Sequence, residues 1–156
     1  MLSKKAVFTA LIQALDAKLN AYLGASRDAA DYAVNEEAKA DSKYDTQGLE
    51  ASYLAAGQAS MARTLMDQIA TLRSLEDELT ASCAVVKRGT LVQCGFEGFD
   101  EWFYICPAGG GETLELEEEV SVLSGKSPLG SAILGKTAGD EFRLANGGVG
   151  RILEVR

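Results

Sequence analysis

Glycine and proline are distributed so unevenly along these 156 residues that they divide the chain before any other feature is considered. Residues 1–83 hold three glycines (Gly24, Gly48 and Gly57) and no proline, whereas residues 84–156 hold the other thirteen glycines and both prolines, Pro107 and Pro128. Both residue types interrupt helices, glycine through its backbone freedom and proline through its missing N–H. The first half is therefore expected to be helical, and the second to consist of strands and turns.

Within the first half, Phe8, Ile12, Leu15, Leu19, Tyr22, Ser26, Ala29 and Ala33 step by alternating fours and threes. That spacing makes a seam along one side of a helix. Leu54, Gln58, Met61, Leu65, Ile69, Leu72, Leu75 and Leu79 repeat nearly the same rhythm. Two such helices separated by the polar stretch Asn35 to Gly48 describe an antiparallel helical hairpin over residues 1–80, with an acidic tip at 36–48. Small seam residues lie toward the tip, where close approach is expected, and bulky ones toward the base. A helix of about 30 to 35 residues rises about 1.5 Å per residue and reaches roughly 45 to 50 Å. Such a seam also suits a helical bundle or a coiled-coil dimerisation module, so the periodicity alone leaves the partner of each helix open.

From Cys83 the texture changes. The runs Cys83–Cys94 and Glu101–Cys106 are rich in β-branched and aromatic residues between glycine turns, and read as strands. Leu114 to Glu117 alternates apolar and acidic residues, placing one face on a core and one in water. Val120–Leu123, Glu141–Leu144 and Arg151–Val155 complete an antiparallel sheet, with residues 127–135 as its one short helical turn. Pro128 opens that turn at no cost, because the first helical N–H groups lack partners anyway. Gly135 stands where a helix end favours a left-handed residue, and Gly139-Asp140 reads as a tight turn. The fold class is thus α+β, with a second domain over residues 84–156.

Composition narrows the chemistry. The net charge of -8 argues against general nucleic-acid binding, which rests on Lys and Arg against phosphates. Residues 1–83 carry 8 basic and 12 acidic side chains and residues 84–156 carry 7 and 11, so neither half offers a large basic face. Contact with RNA or DNA has to be local or arranged by a partner. With no histidine in the chain, Ser-His-Asp and Cys-His nucleophiles and imidazole metal ligands are excluded. Cys83, Cys94 and Cys106 are odd in number and lack CxxC spacing, so buried free thiols are expected. Thr9, Gln13 and Asp16 interrupt the first apolar stretch, so neither a secretory signal nor a membrane span is expected and a cytoplasmic location is. Gly109-Gly110-Gly111 is followed by neither Lys-Ser/Thr nor a helix, and reads as a hairpin turn rather than a phosphate loop.

The segment from Val120 to Leu144 carries a more specific likeness. A strand followed by Ser127-Pro128-Leu129-Gly130, Ala132-Ile133-Leu134-Gly135-Lys136 and Gly139-Asp140 resembles the C-terminal domain of the bacterial Gre transcript-cleavage factors, which act on RNA polymerase. The likeness is strongest over residues 120–144 and looser over the whole chain. It implies an FKBP-like C-terminal domain, and a coiled-coil hairpin that enters the polymerase secondary channel. It also implies a transcription elongation factor that is no enzyme alone but a cofactor-like regulator of the polymerase active site. The expected partners are RNA polymerase, and nascent RNA only within that complex; the factor itself is expected to be a monomer.

Residue roles follow from the resemblance. Gre factors carry an Asp-x-x-Glu-Asn tip whose carboxylates help to hold the second Mg²⁺ of the polymerase and to position water for cleavage of backtracked RNA. No cofactor is expected in isolation, only Mg²⁺ shared with the polymerase. The matching run here is Asp41-Ser42-Lys43-Tyr44-Asp45. Asp41 corresponds to the family aspartate, Tyr44 stands in place of the glutamate, and Asp45 replaces the asparagine. Asp41 and Asp45 are the expected tip carboxylates, four residues apart and able to share a cation on one helical turn, with Tyr44 beside them. The departure leaves two outcomes open: stimulated cleavage, or occupation of the channel without it. The Ser-Pro loop of the family docks on the channel rim, which points to Ser127 and Pro128 as partner-binding residues. An FKBP-like fold also raises prolyl isomerase activity, but consecutive Trp102, Phe103 and Tyr104 alternate faces on a strand and would not line one pocket together.

Overall fold

A computed structural model of the chain describes residues 1–39 and 47–156, and their side chains except at positions 26, 36–39 and 47–51. It separates into two compact units, Leu15–Ile69 and the combination of Met1–Ala14 with Ala70–Arg156. Helix α1 spans Lys4–Lys39 and helix α2 spans Gln47–Ser74, both continuing further into the polar stretch than its composition indicates. Ser3 opens α1: its hydroxyl accepts the Ala6 N–H at 3.2 Å, and its carbonyl accepts that of Val7 at 3.0 Å. The expected tip residues Asp41, Tyr44 and Asp45 lie outside the described residues.

In the unit Leu15–Ile69, α1 buries Leu15, Ala29 and Ala33 and half-buries Leu19 and Tyr22, following the expected seam. On α2 the first half of the seam differs from expectation by one position. Leu54 and Met61 are 55% and 48% exposed, while Ala62, Leu65 and Ile69 are buried and Ala55 is half-buried. A hollow lined by Ala30, Ala33, Val34, Ser52 and Ala55 lies where the antiparallel helices face each other, so the inner line of α2 follows the positions that face α1 and not the larger, more hydrophobic neighbours.

The other unit contains α3, Glu76–Thr80, and a six-stranded sheet with β1 Leu91–Phe96, β2 Phe99–Ile105, β3 Thr113–Glu115, β4 Glu119–Leu123, β5 Glu141–Arg143 and β6 Val149–Val155. Helix α4, Pro128–Ile133, lies between β4 and β5 in the chain. The strand order is β3-β4-β2-β1-β6-β5. Four of the neighbouring pairs are antiparallel, but β2 and β4 run parallel, with Trp102 opposite Val120 and Tyr104 opposite Val122. The expectation of a wholly antiparallel sheet is corrected here. A parallel pair needs a long crossover, and residues 106–118, which include the edge strand β3, supply one. A second correction concerns Cys83–Thr90, which is not a strand. Val85 makes one bridge to Thr137, and a turn at Gly89, with φ +88°, carries the chain into β1.

From Trp102 to Ile105, strand β2 is buried on both faces. Phe103 and Ile105 join Val86, Val92, Cys94, Ile133, Phe142 and Ile152 in one cluster. On the opposite face, register places Trp102 and Tyr104 with Leu91, Val120 and Val122, all buried. That second face is covered by residues from the chain's helical first half. The Tyr104 hydroxyl donates to the Leu79 carbonyl at 2.8 Å, and a Cβ on Gly109 would stand 2.7 Å from Leu11 Cδ1. Gly109 adopts φ +78°, so glycine there serves both the turn and the close approach.

Burial also fixes protonation. It pushes the Cys94 thiol from an ordinary 9.0 up to about 12 and the Cys106 thiol up to about 11, and it raises the Tyr104 phenol as well. Cys83, by contrast, is only half-buried. Between pH 9 and 11, the folded chain keeps protons that the unfolded chain releases, so stability falls as pH rises through that interval. Chemical denaturation at stepped pH is expected to give a constant midpoint up to about pH 9 and a steadily lower one above it. Tyr104→Phe, which leaves the buried Leu79 carbonyl without that donor, is expected to cost about 1 to 2 kcal/mol by urea unfolding at neutral pH.

Candidate functional site

The loop between β4 and α4 is built around one hydroxyl. Ser127 takes an extended backbone conformation (φ -64°, ψ 158°) and caps α4, its Oγ accepting the Gly130 N–H at 3.0 Å. The same Oγ donates to the Ser124 carbonyl at 2.7 Å, while Ser124 Oγ accepts the Lys126 N–H at 3.1 Å. Ser131 closes the loop from the other side, its hydroxyl donating to the Gly125 carbonyl at 3.1 Å. A serine at this position satisfies an otherwise orphaned helix donor, and Pro128 follows where its missing N–H is harmless.

The glycine of the Ser-Pro-Leu-Gly run has an equally local cause. A Cβ on Gly130 would stand 2.1 Å from the Ser124 carbonyl oxygen and 2.8 Å from Ser127 Oγ. The capped turn can therefore form only if this residue lacks a side chain. Beyond α4, Gly135 adopts φ +80° and its N–H donates to the Val86 carbonyl at 2.8 Å, while the Val86 N–H donates to the Lys136 carbonyl at 2.8 Å. The Asp140 carboxylate then accepts the Thr137 N–H at 2.8 Å and its hydroxyl at 3.2 Å. Those bonds, the backbone one foremost, hold the Asp140 carboxyl below its ordinary range.

These contacts separate the two residues expected at the partner surface. Ser127 is half-buried, with its hydroxyl engaged inside the loop, whereas Pro128 is exposed on a framework pinned at both ends. What Ser127 offers a partner is the shape it imposes; what Pro128 offers is its ring. Asp41, Tyr44 and Asp45 lie outside the described residues. Among the described residues, no group of three or more Cys, Asp or Glu side chains is arranged to hold a metal ion, and no helix is long and apolar enough to cross a membrane.

One polar cluster escaped the sequence reading. Lys4 is buried, and its ammonium donates to the Ala81 carbonyl and approaches Cys83 Sγ at 3.6 Å. Cys83 Sγ also lies 3.1 Å from Thr90 Oγ1 and donates to the Arg156 carbonyl at 3.2 Å. Burial lowers the Lys4 pKa. Arg156 in turn donates to the Leu2 carbonyl and stacks 5.0 Å from the Trp102 ring centre. The cluster ties both chain termini to the segment before β1. Nothing local in the sequence marks Lys4 rather than Lys5 for burial.

No protein-family model matches the sequence, and no curated protein matches it. Among solved structures the chain is similar to GreA factor homolog 1 (Gfh1) of Thermus thermophilus, at 18% identity over 96% of this chain and 94% of that chain, with a TM-score of 0.38. It is also similar to a structure of the transcription factor Gfh1, at 22% identity over 96% and 92% of the two chains, with a TM-score of 0.39. A third is Gfh1 of Thermus aquaticus, at 20% identity over 95% of each chain, with a TM-score of 0.38.

The loop geometry ranks three substitutions. Ser127→Ala removes the cap and is expected to cost about 1 kcal/mol. Gly130→Ala forces the loop apart and is expected to cost about 3 kcal/mol or more. Pro128→Ala, with alanine well tolerated in a first helical turn, is expected to stay within about 1 kcal/mol of the parent. Urea unfolding of the three variants checks the order.

Proposed function

We propose that this chain is a Gre-like transcription elongation factor that binds RNA polymerase and brings its helical pair into the secondary channel. The observation that carries the reading is the folded form of residues 124–140. The motif that prompted the family likeness is a single capped, glycine-dependent turn with an exposed proline at its apex, in the same chain as a long antiparallel helical pair. A rigid apex suits docking because little conformational freedom is left to lose on binding.

In this reading Pro128 contacts the channel rim on the frame that Ser127 sets, and the stretch of sequence between α1 and α2 brings Asp41, Tyr44 and Asp45 toward the polymerase active site. Carboxylate oxygens are the hard ligands that a Mg²⁺ ion prefers, and the ion supplies charge stabilisation for phosphodiester cleavage. Asp41 and Asp45 would hold it jointly with the polymerase, and Tyr44 would stack on an exposed base. The chain then modulates a reaction centre belonging to its partner and needs no active site of its own. A channel occupant that leaves cleavage unstimulated is the second reading, favoured by Tyr44 standing where the family has its glutamate.

Purified RNA polymerase is expected to be captured by the immobilised wild-type chain and about tenfold less by Pro128→Ala. Because that variant keeps its stability, the loss reports docking and not unfolding. On a backtracked elongation complex, cleavage that is accelerated by the wild type and lost with Asp41→Ala supports stimulation. Slowed elongation without cleavage supports occupation. Absence of capture overturns both.

A further inference from the structure

We propose that the cleft bounded by residues 86–88, the end of β2 and the loop before α4 binds an acidic peptide segment that carries a bulky apolar side chain. The cleft has a volume of about 580 Å³, within the usual range for a ligand-sized cavity. Its floor is formed by Val86, Ile105 and Cys106, each 1% exposed, and Pro107 and Leu134 extend the apolar surface to the mouth. The Cys106 thiol, pushed by burial up to about 11, is protonated at neutral pH, so the floor carries no charge.

The rim is cationic. Lys87, Arg88 and Lys126 surround the floor, and among the described residues no acid lines it, in a chain with 23 acidic and 15 basic side chains. Arg88 is engaged by Glu78 through contacts of 2.8 and 2.9 Å. Lys87 and Lys126 have no carboxylate partner among the described residues. Two free ammonium groups beside an uncharged floor call for a ligand with carboxylates on either side of an apolar group. Charge complementarity thereby selects an acidic peptide over a neutral one, while the net charge of -8 disfavours a nucleic acid, whose backbone the rest of the molecule repels.

The cleft shares Ser124, Gly125, Lys126 and Leu134 with the loop of the polymerase reading, but neither Ser127 nor Pro128 lines it. The test is fluorescence anisotropy with a rhodamine-labelled peptide, Asp-Glu-Asp-Leu-Phe-Asp-Glu, against the full chain. Saturable binding is expected, weakened about tenfold or more by the exposed double substitution Lys87→Glu with Lys126→Glu, by raising salt to about 0.5 M, and by replacing the peptide acids with Asn and Gln. Leu134→Asp is expected to weaken binding of the acidic peptide as well. Unchanged thermal unfolding confirms that the variants remain folded. Equal binding of the acidic and amidated peptides, or equal binding to the wild type and the double variant, overturns the proposal. So does concentration-dependent self-association that the double variant abolishes, since the cleft is then filled by a second copy. Polymerase capture is scored separately: a wild-type chain that captures polymerase but binds no peptide removes this inference and leaves the other intact.

Discussion

The sheet unit depends on β2 being covered from both sides. Trp102, Phe103, Tyr104 and Ile105 are consecutive and no more than 5% exposed, which a strand achieves only when each face packs on a separate layer. One face finds its layer within the second half of the chain, through Val86, Ile133, Phe142 and Ile152. On the other, Arg156 lies over the Trp102 ring and Tyr104 reaches the Leu79 carbonyl of the helical half. The ends of the helical half, residues 1–14 and 70–80, therefore belong to the same compact unit as the sheet. Burying a tyrosine there also requires its hydroxyl to be paired, so the contact specifies position as well as contributing area.

That dependence separates what the sequence discloses from what it conceals. Seams at Phe8, Ile12, Leu15, Ala29 and Ala33, the strand at Val120–Leu123 and the helix start at Pro128 follow from local rules, because each is fixed by residues a few positions apart. The inner line of α2 is not legible in the same way. Choosing between Met61 and Ala62 depends on which side of α2 the facing helix lies, which hydrophobicity does not encode. The parallel pairing of β2 with β4, the irregular course of residues 83–90 and the burial of Lys4 are likewise set by contacts distant in sequence. Of the candidate site, the frame around Pro128 was readable, but the engagement of the Ser127 hydroxyl by Ser124 and Gly130 emerged only with the fold.

The charges of the sheet unit are sorted by position even though the two halves of the chain have nearly equal balances. Asp100, Glu101, Glu118 and Glu119 line one hollow together with Trp102, whose indole donates to Glu118 at 2.9 Å. Lys87, Arg88 and Lys126 border another. A small unit polarised in this way orients itself in the field of a charged partner before contact. The acidic hollow lies beside the edge strand β3, where carboxylates also discourage strand addition by a second chain. One set of residues thus serves solubility and orientation together, and neither role requires a bound ion.

Ser127 illustrates how a recognition motif can be structural at every position but one. Its hydroxyl is engaged by Ser124 and Gly130, Gly130 is required by a contact of 2.1 Å that any side chain would violate, and Gly135 is required by a left-handed backbone. These residues would be retained for the sake of the turn whether or not anything binds there. Pro128 differs, because alanine would serve the helix start nearly as well and its ring is exposed. The information that a partner could read in this loop is therefore concentrated in one ring, held in place by a frame that spends its own polar groups internally.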